Sequence, residues 1–95
     1  MIKKLVKYKV KKGSEDIVVQ SIQRLLNAIV INEPGTKYEA FKSGDEREFI
    51  HIIVFPDHQA ELRHKEADYT REFVEEIYLY CEITPQFVDL YSIKN

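Results

Sequence analysis

The chain has 95 residues, a formal net charge of −2, one cysteine and no tryptophan. This length suits a single domain over residues 1–95 and is too short for two. The slightly negative charge argues against general nucleic-acid binding, and no apolar run approaches the ~20 residues of a membrane-spanning helix. The basic N-terminus lacks an apolar signal core, and the lone Cys81 cannot form an internal disulfide. These features predict a cytoplasmic protein.

Residue spacing divides the first third of the chain into a strand and a helix. Residues 2–11 alternate between apolar side chains and lysines, which is the period of a strand. Ser14 is then a candidate helix cap, and the helix should end near Asn32 because Pro34-Gly35 stops it. The predicted buried stripe of this helix comprises Val18, Ile22, Leu25, Leu26, Ile29 and Val30.

A hairpin follows the first helix. Residues 36–42 predict a second strand, residues 43–46 a turn, and residues 48–55 a third strand. The third strand is apolar on both faces, which is typical of a central strand that is covered on both sides. Helices of this short chain can cover one face, so the sheet of a second copy is the natural cover for the other.

The last third of the chain predicts two helical pieces and a final strand. Asp57 is a plausible helix cap, and the helical region should continue in two pieces to about Cys81. Thr84-Pro85 should close it, and residues 86–93 then alternate as a last strand. The resulting β-α-β-β-α-β order predicts an α+β fold of the ferredoxin-like type with an antiparallel sheet. The predicted buried stripe of the second helical piece is Phe73, Val74, Ile77 and Cys81.

Two histidines are candidates for chemistry. His64 shares a helical face with the small residues Ala60 and Ala67, which leaves room for a ligand beside an imidazole that can accept a proton at neutral pH. A partly buried histidine bonded to a carbonyl or a carboxylate explains the same spacing. His51 lies mid-strand among aromatic residues, either as a satisfied core histidine or as a polar group in an apolar pocket.

Several function classes lack their motifs in this sequence. The glycines are explained by turns, and there is no phosphate-binding glycine-rich loop, zinc-ligand motif or nucleophile elbow. The same element order builds RNA-recognition domains, but the third strand, residues 47–55, lacks their glycine and is too apolar. We therefore expect no cofactor and no nucleic-acid partner.

Short motifs along most of the chain carry a family resemblance. They are Glu33-Pro34-Gly35 with Tyr38, Phe41 and Ser43, the apolar run Ile50 to Phe55, and Ala60, Leu62 and His64. This pattern resembles the antibiotic biosynthesis monooxygenase family, which includes quinol monooxygenases of the YgiN type and belongs to the dimeric α/β barrel superfamily. The resemblance identifies residues 1–95 as one such domain.

The resemblance implies a homodimer and an activity. Its members pair sheet against sheet and oxidise small phenolic or quinol molecules with O₂ without flavin, haem or metal. By carry-over, His64 is the proton acceptor. The residues expected to line the substrate pocket are His51, Phe55, Tyr69, Phe73 and Tyr8.

Two consequences of the resemblance stay open in the sequence. The alternative to an enzyme is a homodimeric domain of the same fold that binds a small ligand without chemistry. The dimer also turns the lysines opposite Val6, Tyr8 and Val10 toward the partner's sheet, where bare charge is costly. Asp89 is a candidate to neutralise one of them.

Overall fold

The computed structural model describes residues 1–44 and 47–94 of the chain. The elements are β1 (Ile2–Val10), α1 (Glu15–Asn32), β2 (Lys37–Lys42), β3 (Glu48–Phe55), α2 (His58–Glu66), α3 (Asp68–Tyr80) and β4 (Cys81–Leu90). The strands form one antiparallel sheet in the order β2-β3-β1-β4. This confirms the predicted α+β ferredoxin-like fold. In the predicted turn between β2 and β3, Asp45 and Glu46 lie outside the described residues.

The core lies between the helices and one face of the sheet. β1 and β3 are the central strands of the sheet, and the alternation of their side chains sets which residues are buried. Tyr8 lies opposite Phe49 in the register, and the two rings stack with their centroids 5.6 Å apart. The predicted central place of the third strand is therefore confirmed.

The other face of β3 is only half buried. Ile50, Ile52 and Val54 alternate with the core residues of the same strand and point away from the helices. Phe41 on the adjacent β2 and Val88 on the edge strand β4 are also exposed. An apolar sheet face of this kind lacks a cover within the described part of the chain.

The first helix agrees with its predicted span but differs in two details. Ser14 occupies the cap position without a side-chain hydrogen bond to the helix. Val30 is 76% exposed, because it is one residue past Ile29 and so rotated away from the buried stripe, whereas Ser21 lies within that stripe. Neither α1 nor the other helices of the described residues has the length and apolar character needed to cross a bilayer.

The prediction for the last strand was wrong about both of its ends, since the strand also stops at Leu90 and not at residue 93. α3 ends at Tyr80, and β4 starts at Cys81 and continues through Thr84-Pro85 instead of starting after them. Proline has no N–H for a sheet ladder, but β4 is an edge strand and can carry it. The predicted break of the second helical region into two pieces is confirmed, since α2 and α3 meet at Ala67.

The two helix caps give a matched test of this structure. The Asp57 carboxylate accepts a hydrogen bond from the Ala60 N–H at 2.8 Å, whereas Ser14 makes no such bond. We expect Asp57→Ala to lower the free energy of unfolding by about 1 kcal/mol. Ser14→Ala, the control, should change it by less than about half of that. Urea denaturation at one protein concentration measures both, and equal effects would contradict the assigned caps.

Candidate active site

A cavity of about 580 Å³ lies between the sheet and the helices α2 and α3. Its lining includes His51 and Phe55 from β3, His64 from α2 and Phe73 from α3, four of the residues that the resemblance had suggested for the site. Tyr8 is not in the lining, but its hydroxyl lies within hydrogen-bond distance of His51, which is. Tyr69 also lies outside the lining and bonds to a residue that the sequence reasoning did not select.

That residue is Glu33, which ends α1. Its backbone N–H donates to the Ile29 carbonyl at 2.7 Å, and its own carbonyl accepts from the Thr36 N–H at 3.0 Å across the turn at Pro34-Gly35. Its side chain is only 8% exposed. The Pro-Gly turn therefore fixes the end of α1 so that the Glu33 side chain is buried among the helices.

The Glu33 carboxylate accepts two hydrogen bonds. Its Oε2 accepts from the Tyr69 hydroxyl at 2.5 Å and from His64 Nδ1 at 2.8 Å. Its Oε1 is buried and has no hydrogen-bond partner among the described residues. A signal for Glu33 was present in the sequence: an acid at a helix C-terminus, with no basic residue in the last turn, opposes the helix dipole.

His64 is held so that one ring nitrogen remains available. In the neutral imidazole, an Nδ1 proton donated to Glu33 leaves the lone pair on Nε2, which has no hydrogen-bond partner among the described residues. The ring is buried beside Phe55 and Tyr38, with centroids 5.3 and 5.8 Å away. Both interpretations of His64 therefore apply, since it is bonded to a carboxylate and it also lines the cavity.

His51 is a satisfied core histidine at the floor of the cavity. Its Nε2 lies 2.8 Å from the Tyr8 hydroxyl and its Nδ1 lies 2.6 Å from the Tyr38 hydroxyl. Burial lowers its pKa to about 4, so the imidazole is neutral at neutral pH. With both nitrogens bonded, His51 has no free lone pair for a substrate proton.

The three tyrosines around the histidines remain protonated phenols. Burial raises the pKa of Tyr8 and of Tyr38, and the Glu33 charge raises that of Tyr38 further. Burial and the hydrogen bond to Glu33 raise the pKa of Tyr69. Each hydroxyl is therefore a hydrogen-bond donor at neutral pH. Of the three, Tyr38 lines the cavity.

Lys4, which lines the cavity, has two acidic partners. Lys4 pairs with Glu61 and lies 3.4 Å from Asp89, and the hydrogen bond to Glu61 raises its pKa. Asp89 therefore neutralises a lysine on the cavity side, and the expectation that it serves the opposite face was wrong. Residues 1–44 and 47–94 place no group of three His, Cys, Asp or Glu side chains suited to a metal ion.

The lysines on the opposite face find other carboxylates. Lys7 lies 3.6 Å from Glu48, and Lys9 lies 3.8 Å from Glu82. Such exposed pairs add little to stability, but they reduce the bare charge on the outer face of the sheet.

Comparison with known proteins decides the family. The family model for antibiotic biosynthesis monooxygenases matches residues 1–76. The chain belongs to the antibiotic biosynthesis monooxygenase family. No curated protein matches it in a sequence search.

Solved structures of this family share the fold. An antibiotic biosynthesis monooxygenase superposes with a TM-score of 0.89 and 22% identity, covering 99% of this chain and 100% of that chain. A Caulobacter crescentus protein described under the same family name has a TM-score of 0.89 and 18% identity, with coverages of 98% and 90%. A similarly described Nitrosomonas europaea protein has a TM-score of 0.84 and 17% identity, with coverages of 99% and 100%.

The buried His51 predicts a pH dependence of stability. Its pKa in the folded protein is about 4, below the ordinary value of 6.5, so the folded state resists protonation more than the unfolded state does. The contribution of His51 to the free energy of unfolding is therefore complete above pH 6.5, and it decreases as the pH falls toward 4. Between pH 7 and pH 5 we expect this group to remove about 2 kcal/mol from the free energy of unfolding.

The matched variant is His51→Gln, which stays neutral over this range. We expect it to be less stable at pH 7, because Tyr8 and Tyr38 lose a hydrogen-bond partner, but to lose less stability on acidification. Urea denaturation at the two pH values measures the difference. A wild type and a variant with the same pH slope would show that His51 is protonated as readily in the folded protein as in the unfolded chain.

Proposed function

We propose that this protein is a monooxygenase that oxidises a small phenol or quinol with O₂ and needs no cofactor. The observation that carries the proposal is the hydrogen bond from His64 Nδ1 to the buried Glu33 carboxylate. It leaves Nε2 as the basic atom of a histidine that lines the cavity. The family name, which the similar structures share, supports the same reaction class.

Proton transfer starts the proposed reaction. The substrate's phenolic O–H gives its proton to His64 Nε2, and the Glu33 carboxylate stabilises the imidazolium that forms. The Tyr69 hydroxyl, which donates to the same carboxylate oxygen, holds Glu33 in place. A general base of this kind accelerates a reaction about 10²–10⁴-fold.

Electron transfer to oxygen follows. The phenolate gives one electron to O₂, and the resulting phenoxyl radical and superoxide combine to form a C–O bond at a ring carbon. The peroxide takes the proton from His64. Loss of the ring C–H proton then breaks the O–O bond, so that the products are a quinone and water. One oxygen atom of O₂ remains bonded to the ring carbon as a quinone oxygen. The other becomes water, and the substrate supplies the two electrons that reduce it.

The cavity walls suit an aromatic ring and a reactive anion. Ile53, Phe55 and Phe73 are buried core residues in the lining. Such walls exclude water from the intermediate, and they strengthen the electrostatic effect of the polar groups that remain inside. A volume of about 580 Å³ falls within the usual range for small-molecule sites.

Oxygen consumption tests the proposal directly. We expect the purified protein, treated with a chelator, to raise O₂ uptake by at least one member of a panel of reduced quinols and polyphenols. His64→Ala should lower the rate about 10²-fold or more. Glu33→Gln should lower it about tenfold, because a hydrogen bond that orients and stabilises the imidazolium is weakened.

The matched control is His58→Ala, since the His58 side chain is 91% exposed and does not line the cavity. This variant should keep the wild-type rate. Uptake that is the same in His64→Ala as in wild type would remove His64 from the reaction. A protein that binds panel members without raising uptake would favour a non-catalytic ligand-binding domain.

We also propose that two copies pair through the outer face of the sheet. Ile50, Ile52 and Val54 lie half exposed there, and the family resemblance implies a homodimer of this kind. The ion pairs of Lys7 and Lys9 reduce the cost of bringing the two lysine-bearing faces together.

A charge placed on this face tests the dimer. We expect wild type to sediment as a dimer at micromolar concentration and Ile52→Glu to raise the dissociation constant at least about tenfold, because the buried carboxylate would lack a partner. Val30→Glu, on the exposed side of α1, should leave the dimer intact. A monomeric wild type, or equal effects of both substitutions, would contradict this interface.

A further inference from the structure

The hydrogen bonds around His51 admit two arrangements of protons. A neutral imidazole has one N–H donor and one lone pair. Both ring nitrogens of His51 lie within hydrogen-bond distance of a tyrosine hydroxyl, Tyr8 at Nε2 and Tyr38 at Nδ1. One tyrosine must therefore donate to the ring, and the other must accept from it.

In the first arrangement the His51 proton is on Nε2 and is donated to the Tyr8 oxygen. The Tyr8 O–H is then left without an acceptor, because Tyr8 makes no other hydrogen bond among the described residues. Tyr8 is only 1% exposed, so water does not replace the missing acceptor. A buried donor without a partner is destabilising, which disfavours this arrangement.

In the second arrangement the proton is on Nδ1. The Tyr8 O–H donates to Nε2, and Nδ1–H donates to the Tyr38 oxygen, so the Tyr8 hydroxyl and both nitrogens of His51 have partners. The donor left over is the Tyr38 O–H. Tyr38 lines the cavity, where a bound molecule or solvent can accept this hydrogen bond.

We propose that Tyr38 presents its O–H to the cavity as the donor that binds the substrate's oxygen, and that Tyr8 positions this donor by fixing the proton of His51. The Tyr38 ring lies 5.8 Å from the His64 ring, centroid to centroid. A phenolic oxygen beside both can give its proton to His64 Nε2 and then accept the Tyr38 hydrogen bond as an anion. The choice of substrate class rests on the proposed function.

This arrangement gives specificity for an oxygen that becomes negatively charged. A donor that is fixed in place before the reaction stabilises the phenolate more than the phenol, and it also favours the electron-rich anion that reduces O₂. An aromatic molecule without a hydroxyl group leaves both Tyr38 and His64 without a partner. Such molecules should bind weakly.

The first test is the protonation of His51 in the ligand-free protein. In histidine labelled with ¹⁵N, we expect NMR at neutral pH to show the proton on Nδ1 of His51 and the lone pair on Nε2. His51→Gln identifies the signals. In Tyr8→Phe, Nε2 loses its donor, and the preference for the Nδ1 proton should decrease. A wild-type proton on Nε2 would overturn the inference.

The second test uses 4-nitrophenol, whose anion has its own absorbance band. At one pH near 7, we expect the ratio of anion to neutral phenol in the bound state to be about tenfold lower in Tyr38→Phe than in wild type. Tyr78→Phe, an exposed tyrosine on α3 outside the cavity lining, is the control and should keep the wild-type ratio. An unchanged ratio in Tyr38→Phe, or no binding by wild type, would overturn the inference.

Neither test requires turnover. If both tests give the expected results but the protein does not raise O₂ uptake, the proposed oxygenase activity is contradicted and the role of Tyr38 is not. O₂ uptake that depends on His64, together with a proton on Nε2 of His51, would contradict the role of Tyr38 alone.

Discussion

A buried carboxylate at the end of α1 is the constraint on which the site depends. Glu33 lies at the negative end of the helix dipole, and its side chain is almost fully buried, so both its position and its burial oppose the charge. His64 from α2 and Tyr69 from α3 offset this cost by donating to one carboxylate oxygen. One side chain thus joins three helices and sets the orientation of the imidazole.

The sheet contributes a second polar group that faces the first. β1, β2 and β3 supply Tyr8, Tyr38 and His51, which bond to one another inside an otherwise apolar core. A buried network of this kind is stable only when its members are satisfied, and that requirement fixes where protons lie. On the side formed by the helices, the cavity therefore has a hydrogen-bond acceptor, His64. On the side formed by the sheet, it has the hydrogen-bonded pair Tyr38 and His51.

The features that were predicted correctly depend on residues that are close together in the sequence. The alternation of β3, the Asp57 cap and the helical spacing around His64 are local patterns, and each is present in the structure. The start of β4 was missed because Pro85 is tolerated only on an edge strand, and edge position is a property of the whole sheet. Glu33 was missed as a site residue because its partner His64 is 31 residues away. Contacts at that separation arise from packing and leave no periodic signal in the sequence.

The most direct test of the site is a crystal structure with a slowly reacting phenol bound in the absence of oxygen. We expect the phenolic oxygen to lie about 2.6–3.2 Å from His64 Nε2. The Tyr38 hydroxyl should be within similar reach of it, with the ring between Phe55 and Phe73. A phenol bound outside this cavity, or inside it with its oxygen directed away from His64, would contradict the proposed role of the Glu33–His64 pair.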